Sequence, residues 1–398
     1  MIKLFISVLL CFSIFWALHF NDPHLLAYRP YELSAFIALN LFILWLCVRL
    51  HHKVFRASVM LVVLCCAASV VWSVTELERF KQSLERGEQA RFAPFNKRLI
   101  VGYKTQEDAV RLARNGVAGL FLTKRNISGQ TKASLTQFIA ELQTIRHKAG
   151  LPPLIITSDQ EGGPVSRLSP LVPSQPSLAT VIDDPSAAYN YGKVQGKWLA
   201  DLGITVNFSP VVDLKPNRPP GQLDFHSLIA TRAISSDPSV VVRAARDYIN
   251  GLAESGVGAT LKHFPGLARV QEDTHHFSAL LDIHVDELTQ TDLKPFVEIS
   301  QTTDAWLMLS HVIWTQVDDQ NPVSTSRLVV NDFIRNRLGI RNTLVTDDLT
   351  MAATYNRGFC KSVKQAYEAD IDYLLIAYDD EKYFVALKCL SEGKIKNR

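Results

Sequence analysis

Val257-Gly-Ala-Thr-Leu-Lys-His-Phe-Pro-Gly266 is the stretch that decides the fold. An aliphatic and β-branched run, Val257–His263, ends abruptly in a lysine, a histidine and a Pro-Gly turn. A strand buried on both faces reads as such a run, because no solvent face imposes alternation. Outward in both directions the pattern recurs, at Leu99–Tyr103, Val117–Thr123, Pro153–Asp159, Ile204–Leu214, Trp306–Val312, Thr343–Asp347 and Tyr373–Tyr378. Helix-like segments such as Glu107–Asn115, Ala133–Lys148, Ala187–Leu202 and Pro238–Ser255 lie between the runs. Strands alternating with helices in eight units predict an α/β fold, a (β/α)8 TIM-type barrel. A doubly wound open sheet competes with it. No GxGxxG or GxxxxGK[ST] follows the first run, which weakens nucleotide-binding versions of that sheet.

A barrel predicts functional residues just beyond the strand ends, at its carboxyl face. Asp159-Gln160-Glu161-Gly162-Gly163 follows the third run and Asp213 stands at the end of the fourth. Lys262-His263 closes the fifth, Ser310-His311 the sixth and Asp347-Asp348 the seventh. The first 75 residues differ in kind. Leu4–Phe20, Leu33–Leu50 and Ala57–Val74 are apolar and close to the ~20 residues that cross a bilayer as a helix. A signal peptide is the alternative for the first, but no small-x-small site follows it and two more apolar stretches do. We expect a three-helix membrane anchor over 1–75 (helices near 4–20, 33–50 and 57–74), a charged stalk over 76–95 and the barrel over 96–398. The amino end carries Lys3, and the second loop with its flanks carries Arg49, Lys53 and Arg56. The first loop holds only Arg29. The positive-inside rule then places the amino end and second loop in the cytoplasm, and three crossings place everything after Val74 outside. Two crossings would reverse this.

Net charge is +3 with 20% charged residues and no Lys/Arg-rich run, which argues against a nucleic-acid partner. Cys11, Cys47, Cys65 and Cys66 lie in the apolar runs. Cys360 and Cys389 remain for the rest, without CxxC or Cys/His spacing, so a zinc site is not expected. Two such cysteines suit a reducing or an oxidising compartment alike.

The strand-end motifs resemble glycoside hydrolase family 3, in its β-N-acetylglucosaminidase branch. Ser158-Asp-Gln-Glu-Gly-Gly-Pro-Val-Ser-Arg-Leu168 resembles the family's DQEGGRVQR element, and Asn207-Phe-Ser-Pro-Val-Val-Asp213 its NFAPVxD strand. Arg232 resembles the arginine of its GDRAF element. Lys262-His-Phe-Pro-Gly266 is its KHFPG intact. Asp273-Thr-His275 is similar to its Asp-Ser-His dyad, and Val345-Thr-Asp-Asp-Leu-Thr-Met351 to its SDDLSM strand. The likeness covers roughly 97–380. Single motifs are weakly specific; six in order, each on its expected strand or loop, are not.

The resemblance implies a retaining exo-β-N-acetylglucosaminidase acting on peptidoglycan-type saccharides, with no cofactor and no metal. Asp347 would attack the anomeric carbon. Strand alternation turns Asp348 to the other face, while a helix-capping role is the bland alternative for Asp347. His275 would protonate the leaving oxygen and later deprotonate water, with Asp273 fixing its tautomer. His276 follows directly, so only motif alignment selects His275. Asp159, Arg167, Arg232, Lys262 and His263 would hold the terminal N-acetylglucosamine. Glu161 reads as support for the Gly162-Gly163 turn, and His311 equally as a core or a site histidine. The expected partners are an N-acetylglucosamine-containing saccharide and the lipid bilayer. The expected place is the inner membrane of a bacterium, with the catalytic part on the periplasmic side. Departures from the family pattern are Leu267-Ala268 for His-Gly, Pro164 for arginine, and the segment Lys215–Phe225 with Pro219-Pro220. They bear on substrate range, and three alternatives stay open: another family 3 exo-β-glycosidase such as a β-glucosidase, an anchored carbohydrate sensor without turnover, or transfer to phosphate, which the resemblance also allows with a histidine acid/base.

Overall fold

A computed structural model describes residues 2–395 except 21, 23, 24, 26, 27, 51, 85–88, 183, 185 and 217–227. The segment expected to depart from the family at Lys215–Phe225 therefore lies, from 217 on, outside the described residues. The chain divides into two compact units, Met1–Glu88 and Gln89–Arg398.

The first unit holds three helices, α1 (Ile2–Leu18), α2 (Arg29–Val48) and α3 (Lys53–Ser83). Ile6, Ile43, Leu46, Val59 and Val63 share a buried cluster. Ser13 Oγ donates to Asn40 Oδ1 at 2.8 Å, joining α1 to α2, and Asn40 Nδ2 donates to the Phe36 carbonyl. Leu4, Phe12, Leu41, Leu61 and Trp72 point outward and are exposed. α2 and α3 are long and apolar enough to cross a membrane, whereas α1 is apolar but has 17 residues.

The second unit is the barrel. Its strands are β1 (Leu99–Gly102), β2 (Gly119–Leu122), β3 (Ile155–Ser158), β4 (Val206–Asn207), β5 (Thr260–Phe264), β6 (Trp306–Leu309), β7 (Leu344–Thr346) and β8 (Leu374–Ile376). All pair in parallel, in two arcs. One arc runs β8-β1-β2-β3-β4 and the other β5-β6-β7. Bridges Val206↔Gly258 and Val345↔Tyr373 join the arcs, so the barrel closes. Ile100, Phe121, Phe208, Met308, Val345 and Leu375 fill the interior. β4 was expected over 204–214 but is much shorter. Pro210 has no N–H for the ladder, and contact with β5 resumes at Val211↔Lys262. A helix follows every strand; the one after β6, Leu328–Arg337, is wound as a π-helix. A disulfide joins Cys360, on the helix after β7, to Cys389, on the helix after β8, with Cα atoms 5.3 Å apart. That separation is ordinary for a disulfide.

Candidate active site

Seven of the eight predicted site residues stand at or just beyond the carboxyl ends of β3, β5 and β7. Arg232 reaches them from the short helix Ile229–Arg232 after β4. Beyond β3 the chain doubles back through Gln160–Gly162 and Val165–Ser166, so that Arg167 N–H reaches the Asp159 carbonyl at 3.0 Å. Gly162 makes the reversal at φ +91°, where a Cβ would lie 2.0 Å from Tyr191 Oη. Pro164 stands exposed in this turn. Asn207 pins the turn from β4. Its Oδ1 accepts from Gln160 N–H at 2.9 Å and its Nδ2 donates to the Gln160 carbonyl at 2.8 Å.

Glu161 is the hub of a buried ion network. It lies 2.5 Å from Lys262 Nζ and accepts from Arg232 through both oxygens, at 2.7 and 3.0 Å. Lys262 also donates to Asp159 Oδ1 at 2.8 Å. The Glu161, Lys262 and Arg232 side chains are all buried. Burial pushes the Glu161 carboxyl up, but the charges and hydrogen bonds of Arg232 and Lys262 outweigh it and bring it down to about 2. Glu161 therefore orders two predicted sugar-binding cations, a role beyond support of the turn. His263 Nδ1 donates to Asp213 Oδ2 at 2.7 Å, while Asp213 Oδ1 accepts from Leu267 N–H at 2.8 Å. Leu267, one of the residues that departs from the family pattern, is buried and is held by its backbone. Arg167 Nε is buried without a hydrogen-bond partner among the described residues.

Opposite this network, Asp347 N–H donates to the Leu309 carbonyl at 2.9 Å and its half-buried carboxylate accepts from Asp348 N–H. Burial raises its pKa, but His311, His263 and His275 together hold it below the ordinary carboxylate value. Asp348 faces elsewhere. It accepts from Thr350 Oγ1 at 2.7 Å and from Ala377 N–H at 3.0 Å, and burial pushes it up to about 6. Two adjacent carboxylates thus have opposite environments.

His275 Nδ1 lies 2.7 Å from Asp273 Oδ1. An ionised carboxylate only accepts, so Nδ1 carries the proton. Burial lowers the His275 pKa. The Asp273 hydrogen bond and the Asp347 charge more than offset this, and the net shift is upward. The backbone of the loop is docked, because the carbonyls of Thr274 and His275 accept from Ala353 and Ala352 at 3.3 and 3.2 Å. His311 is a core residue with both nitrogens engaged, to Ser324 Oγ and to the Asp348 carbonyl. Burial lowers its pKa below the ordinary imidazole value, against the pull of the Asp347 charge. Among the described residues, no group of three or more His, Cys, Asp or Glu is arranged to hold a metal ion.

Residues 86–398 match the sequence model of the glycosyl hydrolase family 3 N-terminal domain. A β-hexosaminidase of Xanthomonas campestris pv. campestris is 35% identical over 280 residues, 68% of this chain and 80% of that protein. One from Nitrosomonas eutropha is 32% identical over 286 residues, 70% of this chain and 78% of that protein. Among solved structures, a family 3 β-N-acetylglucosaminidase from Paenibacillus sp. str. FPU-7 superposes with TM-score 0.70 at 29% identity. The match covers 76% of this chain and 58% of that one, so this chain spans little more than half of that protein. NagZ from Neisseria gonorrhoeae, in complex with N-trifluoroacetyl-D-glucosamine, gives TM-score 0.62 at 28% identity, covering 74% of this chain and 84% of that one.

Proposed function

The chain belongs to glycosyl hydrolase family 3, and from that premise we propose that it is a retaining exo-β-N-acetylglucosaminidase. The observation that carries the reading is one barrel mouth shared by three things: an electrostatically depressed carboxylate, an aspartate-oriented histidine and a neutralised ion network. Asp347 is the nucleophile that forms the glycosyl-enzyme. His275 Nε2 gives its proton to the leaving oxygen and then takes one from water. Asp159, Arg167, Arg232, Lys262 and His263 hold the terminal sugar. The relatives' names support an N-acetylhexosaminide as substrate, and saccharides of peptidoglycan type are the ones we propose.

We further propose that residues 1–75 anchor the enzyme by three transmembrane helices and that catalysis takes place outside the cytoplasm. Exposed Leu4, Leu41, Leu61 and Trp72 support a lipid environment, because a soluble bundle would leave this apolar surface in water. The Ser13–Asn40 hydrogen bond supports α1 as a retained member of the bundle. The Cys360–Cys389 disulfide supports the external side, since such bonds persist in oxidising compartments.

The test is to incubate the full-length, detergent-solubilised chain with aryl β-N-acetylglucosaminide and aryl β-glucoside, with and without phosphate. Hydrolysis of the former is expected. Preference for the glucoside overturns the branch, binding without turnover makes the chain a sensor, and dependence on phosphate makes it a phosphorylase. An alkaline-phosphatase fusion after Val74 should be active; an inactive fusion overturns the topology.

A further inference from the structure

The ion network accounts for the hydroxyls of a bound sugar but not for its apolar C–H faces. A pyranose is amphipathic, and a site that orients it needs an apolar surface beside the polar groups. The loop just beyond β8, which none of the sequence motifs touches, carries a candidate. Tyr378 is 38% exposed, large for an aromatic residue so close to the barrel interior. Its ring packs edge-on against Phe121, with centroids 6.2 Å apart and planes at 77°. Phe121 in turn stacks on Phe208 at 5.7 Å. The ring therefore rests on the aromatic floor of the barrel with part of its surface left open.

Two further observations bear on where the residue sits. The Tyr378 carbonyl accepts from Arg125 Nη2 at 3.3 Å, and the same nitrogen donates to the Tyr103 carbonyl at 2.9 Å. The backbone is thereby pinned across the mouths of β1 and β2. The phenol also responds to Arg167, Asp159, Asp348 and Asp347, residues from both sides of the mouth. Burial raises its pKa first, and the three carboxylates add to it, so the hydroxyl stays neutral.

We propose that Tyr378 is a substrate-contacting residue whose ring forms the apolar wall of the terminal-sugar subsite, packing on the C–H face of the pyranose between Arg167 and Asp347. The inference rests on the glycosidase reading and deepens it. The wall acts in the ground state and the transition state alike, so its loss raises KM and leaves kcat nearly untouched.

The experiment compares wild type, Tyr378→Phe, Tyr378→Leu and Tyr378→Ala in the full chain, with aryl β-N-acetylglucosaminide as substrate. Tyr378→Ala should raise KM about tenfold with kcat within about twofold, a loss of ~1.4 kcal/mol of binding. Tyr378→Phe keeps the ring and should stay within about threefold of wild type in both constants. Tyr378→Leu preserves apolar contact with Phe121, and serves if the alanine variant melts early; its KM should also rise. Equal KM in wild type, Leu and Ala variants overturns the wall, as does a fall in kcat with KM unmoved. A wild type that binds N-acetylglucosamine by calorimetry without turning over the glycoside overturns the enzymatic reading alone. In that case affinity for N-acetylglucosamine in wild type against Tyr378→Leu decides the wall.

Discussion

Across the barrel mouth, Glu161, Arg232 and Lys262 are buried and paired in one network, whereas Asp347 and His275 are half-buried and act on each other through their charges. The first group is tied by direct contacts, and Glu161 at about 2 does not titrate near neutrality. The second group is poised, because each member's charge steadies the other. Asp347 favours the cation on His275, and His275 favours the anion on Asp347. The difference separates holding from reacting. The histidine that must change protonation in each cycle is paired with Asp273 through Nδ1 but keeps its ring partly exposed.

Substitutions sharpen or break this division. The largest effect is expected at Asp347. Asp347→Ala should lower kcat by more than about 10⁴-fold with melting unchanged, as loss of a nucleophile does. Stability rather than turnover is the quantity to measure for Glu161→Gln. It leaves Arg232 buried without its paired carboxylate and Lys262 with Asp159 alone, at a cost of ~3–5 kcal/mol in chemical denaturation. A variant as stable as wild type would show that the network does not act as one unit. His275→Ala should slow poor leaving groups on the order of 10²- to 10³-fold and activated aryl groups far less, because only the former need a proton. Equal losses would remove the acid role. The smallest expected effect is a shift in pH. His275 is active as acid while protonated, and Asp273 helps raise its pKa. Asp273→Asn should therefore move the alkaline limb of kcat/KM to lower pH, while the acid limb, set by Asp347, stays. An unmoved alkaline limb would detach Asp273 from the titration.

Much of this was legible as text. The eight runs are apolar because parallel barrel strands are covered on both faces, and the polar residues that end them mark the carboxyl face. Asp347, Asp273 and His275 follow from that placement and from the motifs. Glu161 was legible only as support for its turn, because Asp-Gln-Glu-Gly-Gly looks locally like a turn, while its partner Arg232 stands 71 residues away. No spacing rule links such a pair. The Cys360–Cys389 link was unreadable for the same reason, and Tyr378 because one tyrosine after a strand carries no pattern. The extent of β4 was overestimated where Pro210 withdraws from the ladder. The winding of Leu328–Arg337 has no signal that we can name.

The two arcs of the barrel meet at two seams, and the seams are fastened differently. At β4–β5 the fasteners are the site itself, with Glu161 reaching Lys262 and Asp213 reaching His263. At β7–β8 the disulfide ties the two helices that flank the join. One fastening answers to what occupies the mouth, the other to the redox state of the surroundings. A reducing medium would thus act on the outer helices beside β7–β8, on the far side of those strands from the mouth where the sugar is proposed to sit.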